Sequence, residues 1–249
     1  MYLSSCYRRL VKWGIVLTAL GLLGSVLARG IDRIQESAER AQCNLGGVAL
    51  ALHYYDESHG SLPPAILYGK DGTPLHSWRV LILPYLEESV LYNEFHLDEP
   101  WNSPHNIQLL PRMPKSYRAP GRKASMIPPY HTVLHVFVGK GTPFEEIPRP
   151  VPEDTSNPLA TRKGWKIRDD FPNWPGKPLL FVEAGEPVPW TKPQELLYDP
   201  DQPLPELFCI FKEGFRGCEI SASYHFVYKG TSETDMRDLI TRDGGKDPG

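Results

Sequence analysis

The sequence predicts an α+β fold, a long amino-terminal helix laid against an antiparallel β-sheet, and three observations predict it. First, Ile31, Ile34, Ala38, Ala41, Leu45, Val48, Leu52 and Tyr55 recur at alternating steps of three and four. That spacing is one apolar stripe on a helix over 29–57, with Asp32, Arg33, Glu36, Glu39 and Arg40 on its other faces. Second, Thr132–Val138, Leu179–Glu183, Leu207–Phe211 and Glu219–Tyr228 are short β-branched or aromatic runs bounded by Gly and Pro, the pattern of strands. Third, 26 prolines and 21 glycines in 249 residues exclude a helical bundle, since proline alone is about twice its ordinary frequency. Helices first and strands afterwards is the order of a domain in which helix covers a sheet face.

The helical stripe continues backward in phase through Leu27, Gly24, Leu20, Leu17 and Trp13 into an uncharged apolar run, Trp13–Ala28. At 1.5 Å per residue this run spans roughly 24 Å. Leu10 and Val11 extend it toward the ~30 Å hydrocarbon core if Lys12 snorkels to the headgroups. Arg8, Arg9 and Lys12 precede it, so the positive-inside rule leaves the amino terminus in the cytoplasm and exports the chain beyond Arg29. The rival is a cleaved signal peptide, whose small-residue pattern Val26 and Ala28 would satisfy. A signal peptide has no reason to keep the helical register into the next segment, which favours the retained anchor. The expected organisation is 1–28 cytoplasmic stub and transmembrane anchor, 29–57 exported half of the long helix, 58–242 exported α+β domain, and 243–249 tail. Gly46 and Gly47 in mid-helix suit close packing against a sheet.

Beyond the helix, His59-Gly60 and Pro63-Pro64 stop it, and Lys70-Asp71-Gly72-Thr73-Pro74 reads as a turn. Ser77 is placed to cap a helix carrying Trp78, Leu81, Ile82, Tyr85 and Leu86, interrupted at Pro84. Another turn or two of helix comes next, over Glu87–Phe95. Asn102-Ser103-Pro104 then opens a short helix to Leu110. Pro143–Pro158 reads as an exposed proline-rich loop.

A formal net charge of −3 and a pI near 6.2 supply no basic field, so nucleic acid is not an expected partner. His131 and His135 have the four-residue spacing of a zinc pair, yet they sit in a strand-like run without the protease glutamate. Positions four apart on a strand share a face, so metal binding and ordinary histidines both stay open. Cys209 and Cys218 flank Gly214 and Gly217 in the exported region, where a hairpin would bring them within disulfide distance. Asp98-Glu99 beside Trp101 is adjacent rather than opposed, unlike the carboxylate pair of a glycosidase. Trp78, Trp101 and Trp190, each near a basic or polar residue, are the candidate interaction aromatics; core or loop pins are the bland alternative. No nucleophile elbow, phosphate loop or calcium loop is present, so neither an enzymatic activity nor a cofactor is expected.

Several local strings in order carry a resemblance. They are Cys43-Asn44-Leu45 with Ala49-Leu50-Ala51-Leu52-His53-Tyr54-Tyr55-Asp56, Gly60-Ser61-Leu62-Pro63-Pro64, and His76-Ser77-Trp78-Arg79-Val80-Leu81-Ile82-Leu83-Pro84-Tyr85-Leu86-Glu87. Then come Asp98-Glu99-Pro100-Trp101-Asn102-Ser103-Pro104-His105-Asn106, Val182-Glu183-Ala184, Val188-Pro189-Trp190-Thr191-Lys192-Pro193, and Leu239-Ile240-Thr241 before Gly244-Gly245. Together they resemble a family of exported planctomycete proteins known as a domain of unknown function, as pseudopilin-like, or as a PulG-like transporter. The resemblance implies a type IV pilin-like fold, with a membrane-embedded helix whose outer half packs on a small antiparallel sheet. Three departures stand out. After Gly14 the chain reads Ile15-Val16-Leu17-Thr18-Ala19, without the Phe and Glu of a prepilin processing site. Ala119-Pro120 replaces Cys-Pro, and Ser221-Ala222-Ser223 replaces an Asp-Gly-Ser turn.

The functional expectation is a single-pass inner-membrane protein with its carboxy-terminal domain outside the cytoplasm. It would act as a structural or assembly component in secretion or envelope organisation. Its partners would be membrane lipid and other envelope or pilin-like proteins, met through the long helix and the aromatic loops, while the helix seam Ile31, Ile34, Leu45, Val48 and Leu52 packs on the folded domain. The alternative is an extracytoplasmic module that binds carbohydrate or peptide on its Trp and Tyr loops. A hydrolase or metal enzyme around His131 and His135 is the third reading.

Overall fold

A computed structural model describes residues 45–119, 121–145, 165–171, 178–207 and 211–242, the side chains of 121–123 excepted. The anchor, Ile31, Ile34, Cys6, Cys43, Cys209 and the tail lie outside them, as does most of the proline-rich loop.

Residues 45–59 are helical (α1), and Leu45, Val48, Leu52 and Tyr55 are all buried on one face of it. The opposite face carries Leu50 and Tyr54, each 53% exposed. The helix ends where Gly60, at φ +73°, returns its N–H to Asp56 O at 2.7 Å, a left-handed cap that glycine adopts without strain. A Cβ on Gly46 would stand 3.8 Å from Tyr224 Oη and one on Gly47 4.0 Å from Leu86, ordinary contacts. The described packing therefore does not require these glycines, contrary to the expectation from sequence.

A hairpin comes next, β1 Ile66–Tyr68 and β2 Pro74–Ser77, closed by the Asp71 turn that holds the Thr73 N–H and hydroxyl. Ser77 caps α2, Trp78–Leu81, through the Arg79 N–H, and Pro84 opens a 3-10 turn, Leu83–Leu86. The interruption expected at Pro84 is thus a change of helix type. A single helical turn, α3, covers Ser89–Tyr92, and a 3-10 segment runs over Asn106–Arg112.

The main sheet has four antiparallel strands in the order β3-β5-β7-β8: β3 His131–His135, β5 Leu179–Pro189, β7 Gly214–Glu219 and β8 Tyr224–Tyr228. A short parallel ladder joins β4 Phe137–Val138 to β6 Leu196–Leu197. The run read as one strand over Glu219–Tyr228 is instead the end of β7, a turn and β8. Ala222 sits at φ +62° and donates its N–H to Glu219 O, while Glu219 N–H reaches Ser223 O, which closes the hairpin. β5 outruns its expected end at Glu183 because Gly185 at φ +92° lets it bend and continue beside β3.

Two hydrophobic layers enclose this sheet. Leu180, Phe181, Cys218 and Ile220 join the core that holds the α1 seam with Trp78, Val80 and Ile82. Leu179, Val182, Phe215 and Val227 join a second core with Met236 and Ile240 of α5, Glu233–Ile240. A single turn of helix, α4 Ile167–Asp170, is tied to α1 by the Ile167 N–H donating to Asp56.

Candidate functional site

A buried ion pair lies at the centre of one dense group of hydrogen bonds. Arg79, on α2, is wholly enclosed and meets Glu195, just before β6, at 2.9 Å; both side chains are 0% exposed. The guanidinium also donates to Trp190 O, Leu134 O and Lys192 O. Glu195 in turn accepts from Ser77 Oγ at 3.2 Å and from the Val136 N–H at 3.0 Å, and His135 Nδ1 stands 3.6 Å away. Burial pushes the Glu195 carboxyl up, but Arg79, His135 and the Val136 N–H together hold it below its ordinary value. A charge taken this far from water survives only where hydrogen bonds replace its hydration, and here the guanidinium is held by three carbonyls and a carboxylate and both Glu195 oxygens accept bonds. The pair fastens α2, β3 and the 190–195 segment into one block, and Tyr117 locks it by donating its hydroxyl to Arg79 O at 2.6 Å.

Asn106 organises a second group. Fully buried, its side chain accepts the His96 N–H and donates to the carbonyls of His96, Glu99 and Pro100. The 96–106 loop is therefore wound around one amide. His96 and His105 stack on its surface with centroids 3.7 Å apart, and Glu99 accepts from His96 Nδ1.

Of the candidate aromatics, Trp78 and Trp190 are 0% exposed, and their rings form core contacts with Phe181, Phe95 and Tyr117. They have no face to offer a ligand; their bulk fills the interior. Trp101 is half-buried, its backbone N–H held by Leu75 O. His131 and His135 do not converge on a shared site. His135 is buried and donates Nε2–H to Glu186 O, while His131 is engaged with Pro129 O. Among the described residues no three His, Cys, Asp or Glu side chains come together as a metal would need. Cys218 is buried in the core, its thiol pushed up to about 12 by desolvation; its expected partner Cys209 is outside the described residues.

The surface holds a cleft of about 520 Å³ beside β4 and β6, lined by Lys140, Glu145, Leu197, Tyr198, Asp199 and Gln202. Leu197 projects there 75% exposed. Its floor depends on Gly139, at φ +147°, where a Cβ would lie 1.8 Å from Tyr198 O. No helix among the described residues is long and apolar enough to cross a membrane.

Strings that look arbitrary in sequence thus share one interior. His76-Ser77-Trp78-Arg79 supplies the cap, the core ring and the buried cation; Val188-Pro189-Trp190-Thr191-Lys192 supplies carbonyls that receive that cation. The family described as a protein of unknown function, DUF1559, matches residues 33–172, more than half of the chain. The chain belongs to this family. Within this DUF1559 protein the matched region takes in α1, Arg79, Asn106 and β3, and β5 through α5 lie beyond it. No curated protein and no solved structure matches the chain.

Sequence reasoning quoted Arg79 and Asn106 only within the strings that carry the resemblance, gave neither a role, and missed Glu195 and Tyr117. The available signal was a Glu two residues past the Trp190 string, with nothing in sequence to pair it with Arg79.

Proposed function

We propose that this DUF1559 protein is a membrane-anchored, exported, pseudopilin-like structural or assembly component acting in secretion or envelope organisation. The role is non-catalytic, and its contacts are with lipid and with other envelope or pilin-like proteins. One observation carries the reading. The apolar seam of α1, buried at Leu45, Val48, Leu52 and Tyr55, continues in phase through Ile34 and Ile31 toward the uncharged run Trp13–Ala28. A single helix with that register has one use for each half, lipid for the first and the sheet for the second. A type IV pilin-like architecture is the fold that this continuity suits.

The test is fractionation of cells that make the full chain, with membranes washed at alkaline pH and then in high salt. Retention in the membrane pellet, with the carboxy-terminal part open to protease only from the extracytoplasmic side, is the expected result. Release into the wash removes the anchor and with it the pilin-like reading.

The cleft beside Leu197 keeps a second reading alive, an extracytoplasmic module for carbohydrate or peptide. That reading loses two of its three platforms, because Trp78 and Trp190 are buried. A glycan and peptide array with no saturable binding would end it.

A further inference from the structure

The two edges of the main sheet are treated differently. β3 is closed off: Leu134 O takes the Arg79 guanidinium, and the Val136 N–H next to the strand goes to Glu195. β8 at the other edge has no such cover among the described residues. Lys229 N–H donates inward to Glu213 O, and Ser223 O accepts inward from Glu219 N–H. Backbone direction alternates along an antiparallel strand, so residues 225 and 227 also face β7, and Tyr224, Phe226 and Tyr228 turn their N–H and C=O groups outward. The one described bond on that side is from the Thr231 N–H to Tyr228 O.

Natural edge strands are blunted by charge, proline or a bulge. Tyr224-His225-Phe226-Val227-Tyr228 has no Lys, Arg, Asp, Glu or Pro, and its register with β7 is unbroken. The one titratable side chain besides the tyrosines, His225, is engaged with Glu219 at 3.3 Å. The same three residues that point their backbone outward place their side chains in one row: Phe226 and Tyr228 meet edge to face at 5.1 Å, and Tyr228 is 65% exposed.

We propose that β8 is a self-association edge, pairing antiparallel with β8 of a second copy of this chain across a two-fold axis through Phe226. The row reads Tyr, Phe, Tyr in either direction. A two-fold pairing centred on Phe226 sets Phe226 against Phe226 of the second copy, and each Tyr224 against Tyr228 of the other. Phe226 then meets its own copy at the axis, and the exposed Tyr228 is set opposite Tyr224, whose ring is half-buried against the α1 core, with no like charges brought together. In this register Phe226 exchanges both its N–H and C=O bonds with Phe226 of the second copy and the Tyr228 N–H meets Tyr224 O, while Tyr228 O already holds the Thr231 N–H; the interface is isologous, as a closed dimer requires. A single strand pair with one aromatic row falls short of the ~1,200 Å² typical of stable complexes, so the dimer is weak and concentration-dependent. This inference rests on the sheet and not on the membrane anchor, so the fractionation result leaves it standing or falling on its own.

The experiment uses the full chain in mild detergent at a fixed excess of micelles. Sedimentation equilibrium over increasing protein concentration is expected to show a monomer–dimer transition. Hydrogen exchange should then slow at the amides of Tyr224, Phe226 and Tyr228 as concentration rises, while those of His225 and Val227 stay unchanged. Tyr228→Lys, at an exposed position, should weaken dimerisation at least tenfold without altering the unfolding midpoint. A monomer at every concentration overturns the proposal. So does a dimer that survives Tyr228→Lys, or one whose outward β8 amides exchange at a rate independent of concentration.

Discussion

At Arg79 a single side chain joins three parts of the fold, and the cost of cutting it is set by what is left behind. Arg79→Met strands Glu195 as an uncompensated buried carboxylate, a loss of about 3–5 kcal/mol that denaturant unfolding would measure. Glu195→Gln should cost less, because the amide oxygen can still accept from the Val136 N–H while its NH2 turns to the Ser77 hydroxyl oxygen, and Arg79 keeps its three backbone carbonyls. The pair also fixes a pH response. Glu195 has its folded value held below the unfolded one, near 4.3, so its contribution is present above that pH and lost as pH falls through the folded value. Acid titration of stability should therefore be steeper below pH ~4.3 in the parent than in Glu195→Gln; equal slopes would remove Glu195 from the acid response. Glu183 works in the opposite sense, since burial raises it despite its ion pair with Arg216, and it is common to both proteins compared. At Ala222 the backbone is left-handed, a conformation that costs an L-residue about 1–2 kcal/mol. The related Asp-Gly-Ser pattern puts glycine at that place. Ala222→Gly is accordingly expected to raise stability by about 1 kcal/mol, read as a higher unfolding midpoint.

Among the elements, α1 is the one whose two faces were legible in advance, because a 3.6-residue period is a local property that side-chain hydrophobicity alone reveals. Leu52→Ala on the buried seam should cost about 2–5 kcal/mol. Leu50→Ala on the exposed face should stay within about 0.5 kcal/mol. Similar costs at the two positions would mean that the seam is misplaced. Ser77 and Pro84 were legible for the same local reason, one a cap and the other a break. The hairpin β1–β2 was only half legible: its Asp71-Gly72 turn announces itself, but strands of three and four residues leave little periodicity to detect. α5 went unread although Ser232 caps it through the Asp235 N–H, because its mostly polar surface hides an inner face of Met236 and Ile240. The Arg79–Glu195 pair was beyond reach for a different reason. Its members are more than a hundred residues apart, and only the strand order that seats β6 beside β4 brings them together.

Across the whole molecule every described core residue falls within Gln42–Gly249. Its two hydrophobic layers share β5 and β7, so loss of either layer exposes strands that the other needs. That sharing predicts one cooperative transition rather than two. A chain beginning at Gln42 keeps the α1 seam from Leu45 onward, the Arg79–Glu195 pair and both layers. It should fold alone, remain in solution without detergent, and unfold in a single step within about 2–4 °C of the full chain, the shift expected for about 1 kcal/mol in a domain of this size. Circular dichroism and calorimetry on the two proteins would check this. Failure of the shorter chain to fold would show that the segment before Gln42 supplies a necessary part of the core. In that case the α1 seam from Leu45 onward would be insufficient by itself to hold the sheet.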